Sequence, residues 1–230
     1  MKNFQHKEHI FFDLDHTLWD FDKNSEVAFK VIFENNFPQI DVQKFIKVYV
    51  PINQAVWKLY QKDLITSEQL RFMRLEQSFE AINVSLSNTE INFIAEEYII
   101  LLPENNHLFD GTITVLEYLS AKYSLHIITN GFAEVQNKKL NNSGIYKYFK
   151  TVTNSENAGA KKPNPIIYNH ALSFANATKE TSIMIGDCLD ADINGAIDFG
   201  IDAIFVNHNN NEIEESIFQI SHLSDLQNYF

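Results

Sequence analysis

The sequence predicts an α/β protein with a doubly wound parallel sheet and an inserted all-helical domain. Five short apolar runs have the length and composition of buried parallel strands, and helix-like stretches lie between the later ones. Strands that alternate with helices of this length predict βαβ units and a parallel sheet. The strand-like runs are Ile10–Leu14, Leu125–Thr129, Phe149–Thr153, Ser182–Ile185 and Ala203–Val206, and the helix-like stretches are Ile113–Lys122, Ala133–Asn142, Pro165–Ala175 and Ala191–Phe199.

The stretch from about Trp19 to Leu102 has a different pattern, with helical spacing throughout and no convincing strand. Its helix-like segments are Glu26–Asn35, Val42–Gln61, Ser67–Ala81 and Thr89–Leu101. A helical block of this length after the first strand predicts a second domain. Residues 1–18 and 103–230 would then form the α/β core, and residues 19–102 the helical domain.

Composition limits the function classes. The chain has 230 residues, 45% of them hydrophobic, and a formal net charge of −12. Such an acidic chain lacks the basic face that a nucleic-acid polymer requires. The single cysteine, Cys188, excludes an intrachain disulfide and fits a reducing compartment. No apolar window approaches the roughly 18 residues of a spanning helix, so we expect no membrane association and a cytoplasmic location.

Two aspartates directly follow the first apolar run. Asp13 and Asp15 are two positions apart, and alternation along a strand would put both side chains on one side. Two carboxylates that close repel each other unless a cation or a shared proton intervenes. Ligands of doubly wound sheets bind beyond the carboxyl ends of the strands, so this position indicates a functional site. The alternative is an acidic turn in which Asp15 or Thr17 caps the next helix.

The second strand-like run ends in Thr129, Asn130 and Gly131, just before a predicted helix. The free N–H groups at the start of such a helix can bind an anion. Taken alone, however, an ordinary strand-to-helix turn capped by Thr129 explains this segment better.

A lysine follows in a turn that is constrained by proline. Lys162 precedes Pro163, and Pro165 opens the next predicted helix. The prolines limit backbone freedom, so Lys162 could be aimed at one point. A lysine ammonium is a compact charge suited to phosphate. The alternative is a solvated basic turn, which is the interpretation we give to Lys161.

A second acidic group follows the fourth strand-like run. Asp187 follows Gly186, and Asp190 and Asp192 lie shortly after it. Carboxylates, together with carbonyl oxygens and water, are the ligands that Mg²⁺ prefers. The alternative is capping of the helix from Ile193, a role that we assign to Asp190.

Together, the four motifs resemble the haloacid dehalogenase superfamily. They are Asp-x-Asp-x-Thr, a strand-terminal Thr, Lys-Pro and Gly-Asp-x₄-Asp, and they occur in that order within residues 10–200. The resemblance implies a Rossmann-like core, and the helical insertion resembles the first type of cap domain of that superfamily.

The resemblance also implies a role for each motif residue. Asp13 would attack phosphorus and form an aspartyl-phosphate, and Asp15 would protonate the leaving alkoxide and then activate water. Thr129, with Asn130 nearby, would hold the phosphoryl oxygens, and Lys162 would neutralise charge. The Asp13 carboxylate, the Asp15 backbone carbonyl and Asp187 would hold Mg²⁺. Asp192 would bind the metal indirectly or through water, or would orient Lys162.

The resemblance further favours a phosphatase of the bacterial pyrimidine-nucleotidase branch. A carboxylic acid at Asp15 is typical of phosphatases and phosphomutases, and His16 stands where mutases usually carry Gly. The run from Asp15 to Ser25 looks like that branch, so a nucleotide is the expected substrate. A base could stack on Trp19 or Phe21, or both rings could belong to the hinge or the cap core.

Three alternatives stay open from the sequence. The chain could be a phosphatase for a sugar phosphate or phosphoglycolate, a phosphomutase, or an inactive binding protein that keeps the fold. Intact Asp13, Asp15, Lys162 and Asp187 argue against the last. Core or surface roles are expected for most of the larger polar and aromatic residues of the cap, namely Trp57, Tyr60, Arg71 and Arg74. Oligomeric state is not predicted.

Overall fold

The chain forms two compact units. The computed structural model describes residues 3–210 and 212–230. Phe21–Asn106 forms a helical unit, and the remaining described residues form an α/β unit. Among the described residues, no helix is both long enough and apolar enough to cross a membrane.

Four helices make up the helical unit: α1 (Phe21–Asn36), α2 (Val42–Gln61), α3 (Ser67–Ala81) and α4 (Asn88–Leu101). They lie where the helical spacing predicted them, and the largest difference is that α1 begins five residues early, at Phe21 rather than Glu26. The start of α3 is fixed by a capping box, because Thr66 accepts from the N–H of Gln69 at 3.2 Å and the Gln69 side chain accepts from the N–H of Thr66 at 2.9 Å.

Aromatic rings form the core of the helical unit. The stacked pair Phe29 and Tyr98 has ring centroids 4.4 Å apart, and edge-on and tilted contacts extend the cluster to Phe33, Phe45, Tyr49 and Phe79. Buried Arg74 lies against this cluster, with its guanidinium carbon 4.9 Å from the Tyr98 ring centre and Nη1 donating to Asn53 at 3.1 Å. Aromatic burial therefore holds these helices together.

The α/β unit contains one six-stranded parallel sheet. Its strands are β1 (His9–Phe12), β2 (Ser124–Thr129), β3 (Phe149–Asn154), β4 (Ser182–Gly186), β5 (Asp202–Val206) and β6 (Gln219–Ile220). Their order is β3-β2-β1-β4-β5-β6, and every pairing is parallel. The predicted doubly wound sheet and its five strands are confirmed. The two-residue β6 is too short to leave a pattern in the sequence.

Helices connect these strands: α5 (Thr112–Ser120), α6 (Ala133–Asn142), α7 (Ser155–Ala158), α8 (Pro165–Ala175) and α9 (Gly195–Phe199). One predicted helix is partly wrong. The segment expected to be helical over Ala191–Phe199 begins instead as a π-helical turn at Leu189–Asn194, and α9 follows it. Such turns are often found at functional sites, and this one carries Asp192.

The strand order places the first strand at the centre of the sheet. The last residue of β1, Phe12, is level with Ile127 of β2 on one side and Ile185 of β4 on the other. The chain moves outward through β2 and β3 on one side and through β4 and β5 on the other. A switch of direction of this kind opens a crevice beyond the carboxyl ends of the central strands.

Candidate active site

The carboxyl ends of the three central strands bring the predicted motifs together. Asp13 follows β1, Asn130 follows β2 and Asp187 follows β4. The backbone N–H of Asp13 donates to the carbonyl of Ile185 at 2.9 Å, so the first motif is tied directly to the strand that carries the fourth.

Lys162 lies at the centre of this edge, and all three of its ammonium donors are used. Nζ donates to Oδ1 of Asp13, to Oδ1 of Asp192 and to the carbonyl of Ile128, each at 2.6 Å. The residue is 1% exposed. Burial opposes its charge, but the two carboxylates raise the pKa of Lys162 above its ordinary value. Lys162 is therefore a fixed positive charge beside Asp13.

Asn130 holds the backbone of Lys162. Its Oδ1 accepts from the N–H of Lys162 at 2.7 Å, and its Nδ2 donates to the carbonyl of the same residue at 2.9 Å. Asn130 was expected to lie near the phosphoryl oxygens, beside Thr129. In the structure its amide is instead engaged on both sides with the lysine backbone, so the side chain positions Lys162.

Three carboxylates crowd the same point. One oxygen from each of Asp13, Asp187 and Asp192 lies within 4.8 Å of the others. Burial, followed by the charge of Asp192, raises the pKa of Asp187 to about 8. Burial and the carboxylates of Asp192 and Asp187 also raise the pKa of Asp13, while Lys162 acts in the opposite direction. The cluster thus requires more positive charge if all three groups are to be ionised.

Asp192 is held by protein contacts through both of its oxygens. Oδ1 accepts from Lys162, and Oδ2 accepts from the backbone N–H of Cys188 at 3.0 Å. The expected capping role of Asp190 is therefore wrong, because Asp192 accepts the N–H at the start of this turn and Asp190 is exposed. A side chain at Gly186 would collide with Asp192, which explains why glycine ends β4.

Asp187 is held by a threonine of the first motif. The hydroxyl of Thr17 donates to its Oδ1 at 3.0 Å, and the carbonyl of Thr17 accepts from Nε2 of His208 at 3.1 Å. Thr17 therefore supports the Asp187 carboxylate and does not cap a helix. The Asp13 carboxylate is bound through its Oδ1, which accepts from Lys162.

Asp15 faces a different group of residues. Its Oδ1 lies 2.6 Å from Nζ of Lys139, and its Oδ2 accepts from Nε2 of Gln136 at 2.9 Å. Gln136 also donates to the hydroxyl oxygen of Thr129 at 2.7 Å, which accepts from the N–H of Gly131 as well. The Thr129 hydroxyl hydrogen stays available to a ligand oxygen.

Sequence reasoning missed Gln136 and Lys139. Both are polar residues on the buried face of α6, one helical turn apart, and their exposure is 1% and 2%. The sequence shows only that the two residues are three positions apart on a predicted helix and so share one face; it does not show that this face is buried. The structure also explains Gly131, since a Cβ there would lie 2.5 Å from Cδ of Gln136.

Trp19 and Phe21 do not present the faces expected for stacking on a base. Trp19 is fully buried, and the ammonium of Lys139 lies 4.3 Å from its ring centre. Phe21 is the first residue of α1 and is 6% exposed. Both rings are buried, which agrees with the alternative in which they serve the hinge or a core rather than stack on a base.

The charges of the site fit a divalent cation. Asp13, Asp15, Asp187 and Asp192 contribute four carboxylates, and Lys139 and Lys162 contribute two ammonium groups. If all are ionised, two negative charges remain uncompensated. The carboxylate oxygens of Asp13 and Asp187 are hard oxygen ligands of the kind that Mg²⁺ prefers.

Known proteins share this architecture. The sequence profile of the haloacid dehalogenase-like hydrolase family matches residues 10–206. The chain is 34% identical over 203 residues to the pyrimidine 5'-nucleotidase PynA of Streptococcus pneumoniae, covering 86% of this chain and 83% of PynA. It is 32% identical over 226 residues to the pyrimidine 5'-nucleotidase YjjG of Escherichia coli, covering 95% of both. A crystal structure of the putative HAD-hydrolase YfnB from Bacillus subtilis, bound to magnesium, superposes with a TM-score of 0.86 at 25% identity, covering 99% of this chain and 98% of that one.

Proposed function

Because this chain belongs to the haloacid dehalogenase-like hydrolase family, we propose that it is a Mg²⁺-dependent phosphomonoester hydrolase that acts through an aspartyl-phosphate on Asp13. The observation that carries the proposal is the set of groups around Asp13. The buried ammonium of Lys162 lies 2.6 Å from its Oδ1, the Asp187 carboxylate is close by, and Asp15 follows two positions later. An anionic nucleophile can approach an anionic phosphate only where positive charge is fixed in advance.

In the first step, the Asp13 carboxylate attacks phosphorus and the bond from phosphorus to the leaving oxygen breaks. Asp15, carrying a proton, gives it to that oxygen. Lys162 neutralises charge on Asp13 and on the phosphoryl group, and the Thr129 hydroxyl donates to a phosphoryl oxygen. Asn130 keeps Lys162 in place through its backbone.

In the second step, Asp15 takes a proton from a water molecule whose oxygen attacks phosphorus. The bond from phosphorus to Asp13 breaks, inorganic phosphate leaves, and the Asp13 carboxylate is regenerated. The same residue thus serves as acid in one step and as base in the next.

Mg²⁺ fits the oxygen-rich side of the cluster. The Asp13 and Asp187 carboxylates and the backbone carbonyl of Asp15 would hold it. Asp192 would support the site indirectly, through its hydrogen bonds with Lys162 and the Cys188 N–H. When bound, it supplies positive charge beside the transferred phosphoryl group. The raised pKa values of Asp13 and Asp187 support this assignment, because a cation is what would keep both groups ionised.

For the leaving group, we propose a nucleoside, so that the substrate is a pyrimidine nucleoside 5'-monophosphate. The support is the identity of about one residue in three to PynA and YjjG across most of the chain. The alternative substrates are sugar phosphates and phosphoglycolate.

The test is a panel of phosphate monoesters assayed for phosphate release with Mg²⁺ and with EDTA. It would contain UMP, dUMP, dTMP, AMP, phosphoglycolate and sugar phosphates. We expect the pyrimidine nucleotides to give the highest kcat/KM, EDTA to abolish turnover, and Asp13→Asn to lower turnover by at least a thousandfold. A preference for sugar phosphates would remove the nucleotidase proposal alone. A tenth of wild-type turnover in Asp13→Asn would remove the aspartyl-phosphate.

A further inference from the structure

Side chains of one helix, α6, bind both oxygens of the Asp15 carboxylate. Oδ1 lies 2.6 Å from Nζ of Lys139 and Oδ2 lies 2.9 Å from Nε2 of Gln136, so each oxygen has its own donor. The two donors come from consecutive turns of α6. Only one orientation of the carboxylate satisfies both, and the Asp15 side chain is therefore locked rather than free to rotate.

Each donor is in turn fixed by a second contact. The ammonium of Lys139 lies 4.3 Å from the centre of the buried Trp19 ring, so the cation is placed between an aromatic face and a carboxylate. The second amide hydrogen of Gln136 goes to the Thr129 hydroxyl oxygen at 2.7 Å, which ties Asp15 to the residue proposed to hold the phosphoryl group.

The backbone of the first motif brings these groups together. The N–H of Trp19 donates to the carbonyl of Leu14, and the carbonyl of Trp19 accepts from the N–H of His16, both at 2.9 Å. His16 has a φ of 62°, so the chain turns tightly there and returns the Trp19 ring to a position beside Asp15. The ring, the ammonium and the carboxylate are thus set by one turn and one helix.

We propose that Lys139 and Gln136 are positioning residues that hold the Asp15 carboxylate for proton transfer, above all for activating the water that hydrolyses the aspartyl-phosphate. This inference rests on the proposed function. With one donor on each oxygen, the Asp15 carboxylate keeps the orientation in which it can exchange a proton with the leaving oxygen and then with water. Neither side chain needs to touch the substrate for this role.

Rapid-quench kinetics with p-nitrophenyl phosphate separates the two chemical steps. The nitrophenolate leaving group needs no proton, so with this substrate Asp15 acts only in the second step. We expect Lys139→Met and Gln136→Met to lower kcat by roughly 10- to 100-fold, to show a burst of nitrophenolate, and to accumulate aspartyl-phosphate in the steady state. Lys139→Arg should recover most of the turnover, since a guanidinium can also bind a carboxylate.

The same helix offers a matched control. Lys138 is the exposed neighbour of Lys139 and pairs at 2.7 Å with Glu134. Lys138→Met should leave kcat and the phosphoenzyme level at their wild-type values. This control distinguishes loss of Asp15 positioning from loss of any positive charge on α6.

Two outcomes would overturn the inference. One is wild-type dephosphorylation in Lys139→Met and Gln136→Met. The other is a burst and a steady-state rate that fall together in all three variants, Lys139→Arg included, because that pattern means fewer active molecules rather than a slower second step. If instead wild-type enzyme releases no phosphate from any ester, the proposed function fails first, and the two failures are distinguishable.

Discussion

Buried ionisable groups lie at both ends of the central strands, but they are charged at one end and neutral at the other. At the carboxyl ends, Lys162 binds Asp13 and Asp192 as charged partners in the interior. Nearer the amino ends, His126 lies between His9 and Thr151, with ring nitrogens 3.1 Å from His9 Nδ1 and 2.8 Å from the Thr151 hydroxyl. Burial lowers the pKa of His126 to about 4, so that its ring is neutral at ordinary pH.

The difference shows what the protein gains from each arrangement. Burial disfavours charge at both ends of the sheet. At the histidine end, His126 is neutral and belongs to a hydrogen-bonded chain that joins three strands. At the carboxyl end Lys162 keeps its charge because it is paired with carboxylates, at a cost in stability, and a site of this kind can bind a cation and hold a nucleophile.

The largest expected effect concerns Mg²⁺ and pH. In the metal-free protein, burial and Asp192 raise the pKa of Asp187 from 3.8 to about 8, so between these values the folded state binds more protons than the unfolded state. The metal-free protein should therefore lose stability as pH rises from 4 to 8. Mg²⁺ displaces the proton, so its affinity should rise by up to about tenfold per pH unit between pH 6 and 8. Calorimetric titration at several pH values would measure this.

The matched variants are Asp187→Asn and Asp190→Asn. Without metal, Asp187→Asn should be more stable than wild type at pH 8, by about 2–3 kcal/mol, and should lose the stabilisation by Mg²⁺. Asp190→Asn changes an exposed acid three residues later and should behave like wild type. A Mg²⁺ affinity that does not depend on pH, or that survives in Asp187→Asn, would contradict the assignment of the Asp187 carboxylate as a Mg²⁺ ligand.

A smaller effect of opposite sign is expected from the histidine end. The pKa of His126 is lowered from 6.5 to about 4, so between these values the unfolded state binds more protons than the folded state. Its contribution to stability is present above pH 6.5 and is lost as pH falls toward 4. The loss should be about 2 kcal/mol, below what the full shift gives, because part of the ring pair reaches solvent.

Urea unfolding of wild type and His126→Phe at pH 7 and pH 5 would measure this contribution. Phenylalanine keeps the ring that stacks on Phe11 at 4.7 Å but does not titrate. The difference between the two proteins should shrink or reverse as pH falls, whereas His6→Gln, which changes an exposed histidine, should follow wild type. Parallel pH curves for wild type and His126→Phe would contradict a neutral buried ring.

The fold could be predicted from the sequence because its signals are local. Each central strand is a short apolar run that ends in a polar motif, and the helices of the helical unit carry their own caps, such as Thr66 with Gln69. The helix expected from Ala191 was partly wrong because a π-helical turn of six residues is too short for the spacing of apolar residues to distinguish it from an α-helix. The two-residue strand β6 leaves no pattern at all.

The candidate site was only half predictable, for a physical reason. Asp13 and Asp187 follow strands, and Lys162 lies in a proline-fixed turn, so topology alone brings them together. The roles of Gln136, Lys139 and Asn130 depend on which way a helical or loop side chain points, and spacing does not fix that direction. Trp19 shows the same limit, because an aromatic residue beside a site can as well support a buried lysine as stack on a base.

Trapping of the covalent intermediate tests the central claim most directly. Wild-type protein would be mixed with Mg²⁺ and p-nitrophenyl phosphate, quenched in acid within one turnover, digested, and sequenced by tandem mass spectrometry. The aspartyl-phosphate mechanism predicts a phosphoryl group on Asp13, present in wild type, enriched in Lys139→Met and absent in Asp13→Asn. Phosphate release with no phosphorylated residue, or with the phosphoryl group on a residue other than Asp13, would contradict it.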